Sequence, residues 1–222
     1  KEVTLAHTRK NIPMLWIAPY TEKIFSGPSN FRRSFLDRLV TVFDPRHALR
    51  LAEYEKNLRQ RSKLLKDKSK DINWISSLEK QLAKSSTAIS FSRYEIKTKL
   101  SKYLKNSIKS FPQVLISFNN STEGLIHKIP ALDIEESLEK DYLNSREIDS
   151  IIGGSTVGCH KSDLEVKNLS LGLNASVCSS GEQKSLLISI ILATATAYRD
   201  YLKKSPIVLL YKYFNLFSFI VL

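Results

Sequence analysis

The feature that most restricts the fold is a long stretch, residues 48–107, that contains neither glycine nor proline. In its first part leucine recurs every seven residues, at Leu51, Leu58 and Leu65. In its second part apolar residues repeat every three or four positions, at Ile72, Ile75, Leu78 and Leu82. This spacing predicts two long helices, joined near residues 66–71 and packed as an antiparallel pair, with Lys and Arg on their outward faces. One long coiled coil is a weaker interpretation, because the heptad is not kept through the junction.

Outside this stretch, apolar runs bounded by turn residues alternate with helical patterns. The predicted strands are residues 14–18, 114–118, 164–166 and 207–210, with a turn at 119–121. One predicted helix is capped by Ser29 or Asn30 and ends at Asp44-Pro45; the others cover residues 134–152, up to Gly153, and 182–203. Strands interleaved with helices favour an α/β layered fold with a mostly helical insertion at residues 45–110. Residues 207–210 are continuously apolar, as in a strand covered on both faces of its sheet.

The positive charge lies almost entirely in the first half of the chain. The 222 residues carry 34 Lys and Arg against 22 Asp and Glu, a net charge of +12. Residues 1–112 hold 24 and 10 of these, a net of +14, whereas residues 113–222 hold 10 and 12, a net of −2. Such asymmetry indicates a surface for a polyanion, either nucleic acid or an anionic membrane. A pair of solvated Lys-rich helices explains the charge equally well.

Composition narrows the class of protein further. Seven Gly, seven Pro and 42% apolar residues exclude collagen-like, low-complexity and disordered chains. Two cysteines cannot form a disulfide framework, and no apolar signal stretch follows Lys1, so we expect a cytoplasmic protein. Residues 206–222 form an apolar run interrupted by Lys212 and Asn215; because the run is short for a membrane span, we expect no transmembrane helix.

One short segment is typical of an anion site. Ser179, Ser180, Gly181, Glu182 and Gln183 stand directly before the long apolar helix predicted at residues 182–203. Backbone N–H groups, hydroxyls and the positive end of a helix meet there. A plain Ser N-cap with Glu182 in the first turn accounts for the same residues. The strand 207–210, which follows the helix, favours the anion site.

Other groups of polar residues carry weaker signals. Cys159, His160 and Cys178 lack a fourth ligand and Cys-x-x-Cys spacing, so structural thiols are favoured over a metal site. Histidines stand singly at His7, His47 and His127, and Glu135, Glu136 and Glu139 fit a solvated helix face. We therefore expect no catalytic side chain and no metal ligand. The pair Arg32-Arg33 could contact DNA or nucleotide, or could pair with Asp37 on the same helix face.

Four segments match one family in combination. Ser179 to Gln183, with Lys184, the helix and the strand, correspond to a signature motif followed by a Walker B strand. Gly27-Pro28 and Arg32-Arg33-Ser34-Phe35-Leu36-Asp37 correspond to two Arg before Phe-Leu-Asp, and Tyr54, Leu58, Arg61 and Leu64-Leu65 to a helical arm. Residues 153–158 with His160, Ser162, Asp163 and Leu164 correspond to Gly-Pro-His-Arg-x-Asp-Leu, with Cys159 replacing Pro and Lys161 replacing Arg. From about residue 11 to Leu210 the chain resembles the RecF family of bacterial ABC-type ATPases.

The resemblance implies a fold and a function. The fold would be a partial ABC-type (P-loop NTPase-like) ATPase head with an inserted α-helical hairpin arm. The function would be DNA replication, recombination and repair of DNA damage, with a link to the SOS response: an ATP-dependent homodimer binds single-/double-stranded DNA junctions and works with RecO and RecR to load RecA. The signature Ser179, Ser180, Gly181, Glu182 and Gln183 would bind ATP of the partner protomer in trans, with Mg²⁺ as the associated ion. Ser180, Gly181 and Gln183 would touch the phosphate, and Ser179 and Glu182 would shape the loop.

Departures from the family are equally informative. The sequence contains no Gly-x-x-x-x-Gly-Lys-Ser/Thr, the loop that cradles phosphates. After Leu210 stand Tyr211 and Lys212, where the family has Asp-Glu; a phenol and an ammonium hold neither Mg²⁺ nor a water. Tyr20 stands where relatives often carry Gln or Glu. We therefore expect no ATP hydrolysis, and an internal segment of a longer protein with a foreign tail from Tyr211, as a reading-frame change or misplaced gene boundaries would produce.

These inferences divide the chain into four parts. We expect a core lobe at 1–44, a basic helical arm at 45–112, a second core part with the signature and Walker B strand at 113–210, and an apolar tail at 211–222. DNA contacts are expected from cations at Arg32, Arg33, Arg59, Arg61 and Lys63, through phosphates and without base specificity. The alternative function is a non-enzymatic adaptor whose basic hairpin binds a protein or an anionic membrane. A remnant that folds poorly is a third interpretation, since missing strands would expose apolar surface.

Overall fold

A computed structural model describes residues 13–17, 23–105, 111–119, 122–210 and 218–221. The helices are α1 (Ser29–Phe43), α2 (Arg46–Lys66), α3 (Ile72–Lys105), α4 (Thr122–Leu125), α5 (Ala131–Asn144), α6 (Arg146–Ile152) and α7 (Ser180–Leu202). The strands are β1 (Met14–Ile17), β2 (Val114–Asn119), β3 (Asp163–Asn168), β4 (Leu173–Asn174), β5 (Ile207–Leu210) and β6 (Ser218–Val221), with short 3-10 turns at Cys159–Lys161 and Ala175–Val177.

The described residues fall into two compact units. The core unit takes them from Lys1–Pro45, Glu95–Ser117 and Leu164–Leu222, and the arm unit from Arg46–Tyr94 and Phe118–Asp163. Residues 118–163 thus pack with the first part of the helical insertion. Each unit has its own hydrophobic core.

The sheet of the core unit that contains β5 explains why residues 207–210 are apolar. β5 is the middle strand: it pairs in parallel with β1, with Leu15 opposite Val208, and in antiparallel with β6. Val208 and Leu15 are buried, and so is Leu210, whereas Ile207 and Leu209 are half-buried. The sequence predicts that β5 is buried on both faces of its sheet, whereas the structure buries one face fully and the other only in part. A second sheet has the order β2-β3-β4.

Helix α7 supplies much of the core of this unit. Leu186, Leu187, Ile190 and Ile191 are fully buried, which matches the nearly continuous apolar sequence of the helix. The helix packs against β1 and ends at Lys203, which adopts the left-handed conformation with φ 55°. It is followed directly by β5, so the predicted order of turn, helix and strand is confirmed.

The arm unit contains the predicted antiparallel helix pair. Three side-chain hydrogen bonds show that α2 and α3 run antiparallel, because the residue number increases in α2 as it decreases in α3. They join Arg50 to Ser92 (3.2 Å), Asn57 to Gln81 (3.2 Å), and Arg61 to Glu79 (2.9 Å). The junction between the helices falls at residues 67–71, as predicted. The apolar side chains that meet in the core of this unit come from α2, α3 and α5, and include Tyr54, Leu82, Ile89, Ile134 and Leu138.

Three details differ from the sequence predictions. Arg61 and Arg93 are buried rather than outward-facing. Helix α1 begins at Ser29, so the cap position is Pro28, which forms no side-chain hydrogen bond; the Ser29 hydroxyl accepts a hydrogen bond from Arg33 at 2.8 Å. The helix predicted at 134–152 is two helices, broken at Ser145, where the Arg61 guanidinium donates to the Tyr142 carbonyl at 2.7 Å. The end of α6 at Gly153, φ 69°, is as predicted.

The apolar tail is partly described. Ser218–Val221 forms β6, with Val221 opposite Ile207 and Ser218 opposite Leu210, so this part of the tail is a strand rather than an unstructured appendage. Pro19, Tyr20, Tyr211 and Lys212 lie outside the described residues, as does most of the turn predicted at 119–121. Within the described part of the chain, no helix is long and apolar enough to cross a membrane.

Candidate functional site

The turn before α7 is held by two reciprocal hydrogen bonds. The Ser179 hydroxyl accepts from the Glu182 backbone N–H at 3.3 Å, and the Glu182 carboxylate accepts from the Ser179 backbone N–H at 2.7 Å. This capping box satisfies two donors that a helix start otherwise leaves open. The hydrogen bond from the Ser179 backbone, and that from its hydroxyl, hold the pKa of the Glu182 carboxyl below its ordinary value. Ser179 and Glu182 therefore hold the turn through this capping box.

Gln183 is directed into the protein. Its side chain is buried, and its amide nitrogen donates to the Cys178 carbonyl at 2.9 Å. Its backbone N–H donates to the Ser179 carbonyl at 2.9 Å. The Gln183 side chain thus holds the turn through the Cys178 carbonyl, and its direct contact with phosphate stays a prediction. Burial raises the pKa of the neighbouring Cys178 thiol, so that thiol stays protonated.

The surface presented by the turn is made by Ser180 and Gly181, both exposed. They occupy the first two positions of α7, where backbone N–H groups have no carbonyl partner within the helix. A Cβ at Gly181 would meet no atom within 4 Å, so the space in front of the turn is open. A 23-residue helix places its positive end at this point. The arrangement can bind an anion through backbone N–H groups and the Ser180 hydroxyl.

The candidate DNA-binding residues separate into three groups. Arg59 and Lys63 are exposed on α2. Arg32 and Arg33 are half-buried, and the Arg32 guanidinium donates to the carbonyls of Ile24, Phe25 and Gly27, the last at 2.7 Å. Arg61 is fully buried, so the expectation of an outward-facing contact with DNA is not met at this position.

Arg61 is the centre of a buried ion-pair network. It donates to Glu79 at 2.9 Å and to Asp149 at 2.6 Å, and Arg146 donates to the same Glu79. Arg93 forms a second buried pair, with Glu123 at 3.1 Å. One signal in the sequence could have placed Arg61 here: it lies seven residues after Tyr54 and four before Leu65, on the apolar face of α2. Its acidic partners are remote in sequence and carry no such signal.

The segment around His160 also proves structural. The Tyr54 hydroxyl lies 2.7 Å from His160 Nδ1 and 3.3 Å from the Tyr142 hydroxyl. Gly158 has φ 119°, and a Cβ there would collide with both hydroxyls. Glycine is therefore required at this point of the segment.

Among the described residues, the remaining cysteine and histidine candidates do not form a metal site. Cys159 and Cys178 are buried free thiols. His127 stacks on the Tyr94 ring with a centroid distance of 5.9 Å. Among the described residues there is no group of three or more His, Cys, Asp or Glu that could hold a metal ion.

Comparison with solved structures defines the class of fold. The chain superposes with a TM-score of 0.76 on a structure described as the recombination mediator protein RecF-ATPrS in the RecFOR pathway, at 23% identity. It superposes with a TM-score of 0.77 on one described as RecF-ATP in the same pathway, at 22% identity. Each match covers 90% of this chain, and 55% and 54% of the solved chains. The chain therefore has the mixed helix-and-sheet fold of about half of these solved RecF chains.

Sequence comparison finds relatives that share one name. The chain is 36% identical over 199 residues to the DNA replication and repair protein RecF of Mesorhizobium japonicum, which covers 89% of this chain and 52% of the relative. The identity to RecF of Rhizobium etli is 33% over 202 residues, covering 90% and 54%. No family model matches the chain. The chain is thus a homologue of RecF over nine-tenths of its length, and it spans about half the length of the curated relatives it matches.

Proposed function

We propose that this chain is part of a RecF-type protein of DNA replication and repair, which in its intact form binds DNA at single-strand/double-strand junctions within an ATP-dependent dimer. The part present here keeps the DNA-binding arm and is inactive as an ATPase. The observation that carries the proposal is the exposed, capped turn at Ser180 and Gly181, which opens α7 and is followed by the central strand β5. This order of elements is found in a chain whose relatives are named for DNA replication and repair.

The turn has the chemistry that a nucleotide phosphate requires. In a dimer whose partner protomer carried the phosphate-binding loop that this sequence lacks, the γ-phosphate of the ATP held there would meet the backbone N–H groups and the hydroxyl at Ser180 and Gly181. Ser179, Glu182 and Gln183 keep those groups in position. Such recognition is electrostatic and needs no nucleophile. Tyr211 and Lys212 do not fit Mg²⁺, which prefers carboxylate oxygens, so no step of the proposal depends on this ion in the chain.

The arm supplies the cations for DNA. Arg59 and Lys63 lie exposed on α2, and we assign them to DNA phosphates, without base specificity. Through this contact the protein would work with RecO and RecR and support the loading of RecA. The cytoplasm, where chromosomal DNA is replicated, is the proposed location.

Binding to a gapped duplex at increasing salt tests the proposal. We expect the affinity to fall steeply with salt, because each phosphate contact releases counterions. Exchange of Arg59 and Lys63 for Ala should lower the affinity and reduce the salt slope by about two, roughly one for each lost contact. Lys140→Ala is the control: it removes one positive charge from an exposed position on α5 of the same unit, away from α2. Salt-independent binding, or a protein partner that co-purifies after nuclease treatment, would favour the adaptor instead.

A further inference from the structure

The exposed side of α2 carries a continuous row of cations. Lys56, Arg59, Lys63 and Lys66 follow one another at spacings of three, four and three residues, so they share one face of the helix. All four are exposed. At about 1.5 Å per residue the row is about 15 Å long, and it ends where α2 ends. We call these four residues the α2 stripe.

Packing fixes the direction of the α2 stripe. Tyr54, Arg61 and Leu65 are buried on another side of α2, and Arg61 is held there by Glu79 and Asp149. The helix therefore cannot rotate without breaking two buried ion pairs. Arg59 has Glu55 at 3.6 Å, but both side chains are largely exposed, so this pair competes weakly with an external anion.

The tip of the hairpin, where the α2 stripe ends, presents an aromatic ring. Trp74, in the first turn of α3, is 50% exposed, and Ile72 beside it is 54% exposed. The Trp74 backbone N–H donates to the Asp71 carboxylate at 2.9 Å, which fixes the start of the helix beneath the ring. Lys68 and Lys70, in the connection between the helices, are exposed as well. A large ring left half in water costs free energy that a stacking partner would recover.

We propose that the tip of the α2–α3 hairpin binds single-stranded DNA, with the Trp74 ring stacked on an unpaired base and the α2 stripe along the phosphates. This inference rests on the proposed function and adds to it a strand type and a site. A basic groove beside an aromatic ring is how proteins hold single strands without reading their sequence, because every base offers a flat face. The arm tip would thus recognise the unpaired part of a junction.

The composition of α2 favours nucleic acid over a membrane. A helix that lies on a membrane inserts an apolar face beside its cations, whereas the large side chains of Tyr54 and Leu65 on α2 are buried in the arm unit.

Fluorescence of Trp74 provides a direct test. The chain has two tryptophans, so Trp16→Phe leaves Trp74 as the reporter. Titration of this full-length variant with oligo(dT) should quench its emission, and a blunt duplex should quench it much less. In the wild-type background, Trp74→Ala should weaken oligo(dT) binding about tenfold and Trp74→Phe much less, because base stacking on an aromatic ring contributes most at this contact. Binding of the blunt duplex should be unchanged.

Controls separate this inference from the function on which it rests. Tyr201→Ala removes a ring that is 52% exposed in the core unit and should leave oligo(dT) binding unchanged. Far-ultraviolet circular dichroism checks that each variant keeps its helices.

If the chain binds DNA in a salt-dependent way but Trp74→Ala behaves as wild type, the stacking proposal is overturned and the proposed function stands. If neither oligo(dT) nor gapped duplex binds, the proposed function itself fails. Quenching by phosphatidylserine vesicles without quenching by oligo(dT) would assign the tip to a membrane.

Discussion

The residue that organises the arm unit is Arg61, and its importance comes from desolvation. Its guanidinium is fully buried, with Glu79 and Asp149 as ionic partners and the Tyr142 carbonyl as a third acceptor. A charge removed from water is tolerated only when its hydrogen bonds are satisfied. The network therefore specifies the packing of α2 against α3 and α6 while adding little net stability. Loss of one partner is costly, because the other charge stays buried.

Exchange of Asp149 for Asn tests this account. Burial raises the pKa of the Asp149 carboxyl, but hydrogen bonds from Arg61, Ser145 and Thr156 outweigh it and place the pKa below its ordinary value. Its contribution is thus complete above the unfolded pKa, about 4, and is lost as pH falls through the folded value. We expect Asp149→Asn to lower the free energy of unfolding by about 3–5 kcal/mol at neutral pH. In urea titrations the difference from wild type should shrink below about pH 4.

The exposed pair Arg59–Glu55 is the control for that measurement. Glu55→Gln removes one charge from a pair whose side chains are 72% and 64% exposed, so the free energy of unfolding should change by less than about 0.5 kcal/mol. Equal effects of Glu55→Gln and Asp149→Asn would contradict the network. From the sequence alone, burial of Arg61 could be read from its position on the apolar face of α2. Asp149 could not be identified, because the contact joins residues 88 apart.

At the scale of elements, local signals predicted most helices and strands. The junction of α2 and α3, the end of α6 at Gly153 and the strand β5 follow from residues at or beside each boundary. The break at Ser145 was not predicted: two donors, the local Ser145 hydroxyl and the Arg61 guanidinium from another helix, both bind the Tyr142 carbonyl. The cap of α1 was mispredicted because the helix begins at Ser29, which leaves Pro28 in the cap position.

The capping box of α7 makes a prediction that belongs to this scale. Ser179→Ala removes the acceptor for the Glu182 N–H and should cost about 1 kcal/mol of unfolding free energy, as for other N-caps. Ser185→Ala is the matched control, because that hydroxyl only donates to the Gly181 carbonyl within the helix; its effect should lie within about 0.5 kcal/mol. Thermal unfolding followed by circular dichroism measures both. A Ser179→Ala variant as stable as Ser185→Ala would show that the turn needs no cap.

At the scale of the whole molecule, the sequence indicated a basic half and a nearly neutral half, but not how segments combine into units. Residues 118–163 join the arm unit and residues 95–117 join the core unit, because long-range packing decides the division. The candidate phosphate turn was found from sequence, since Ser179 to Gln183 are contiguous. The inward direction of Gln183 was not, because its partner is a backbone carbonyl, and any residue supplies one.

The last prediction concerns ATP hydrolysis by the 222-residue chain. A phosphate turn at Ser180 and Gly181 can contact nucleotide held by another molecule, but the sequence has no loop to cradle phosphates and has Tyr211-Lys212 after β5. We expect no ATP turnover by the purified chain. Joint exchange of Tyr211 for Asp and Lys212 for Glu should not create it, because carboxylates without a phosphate-binding loop position neither nucleotide nor water. Phosphate release measured with both proteins checks this, with buffer as the baseline. Turnover by the unaltered chain, abolished by Gly181→Trp, would mean that the nucleotide is bound and hydrolysed by groups other than the two motifs it lacks.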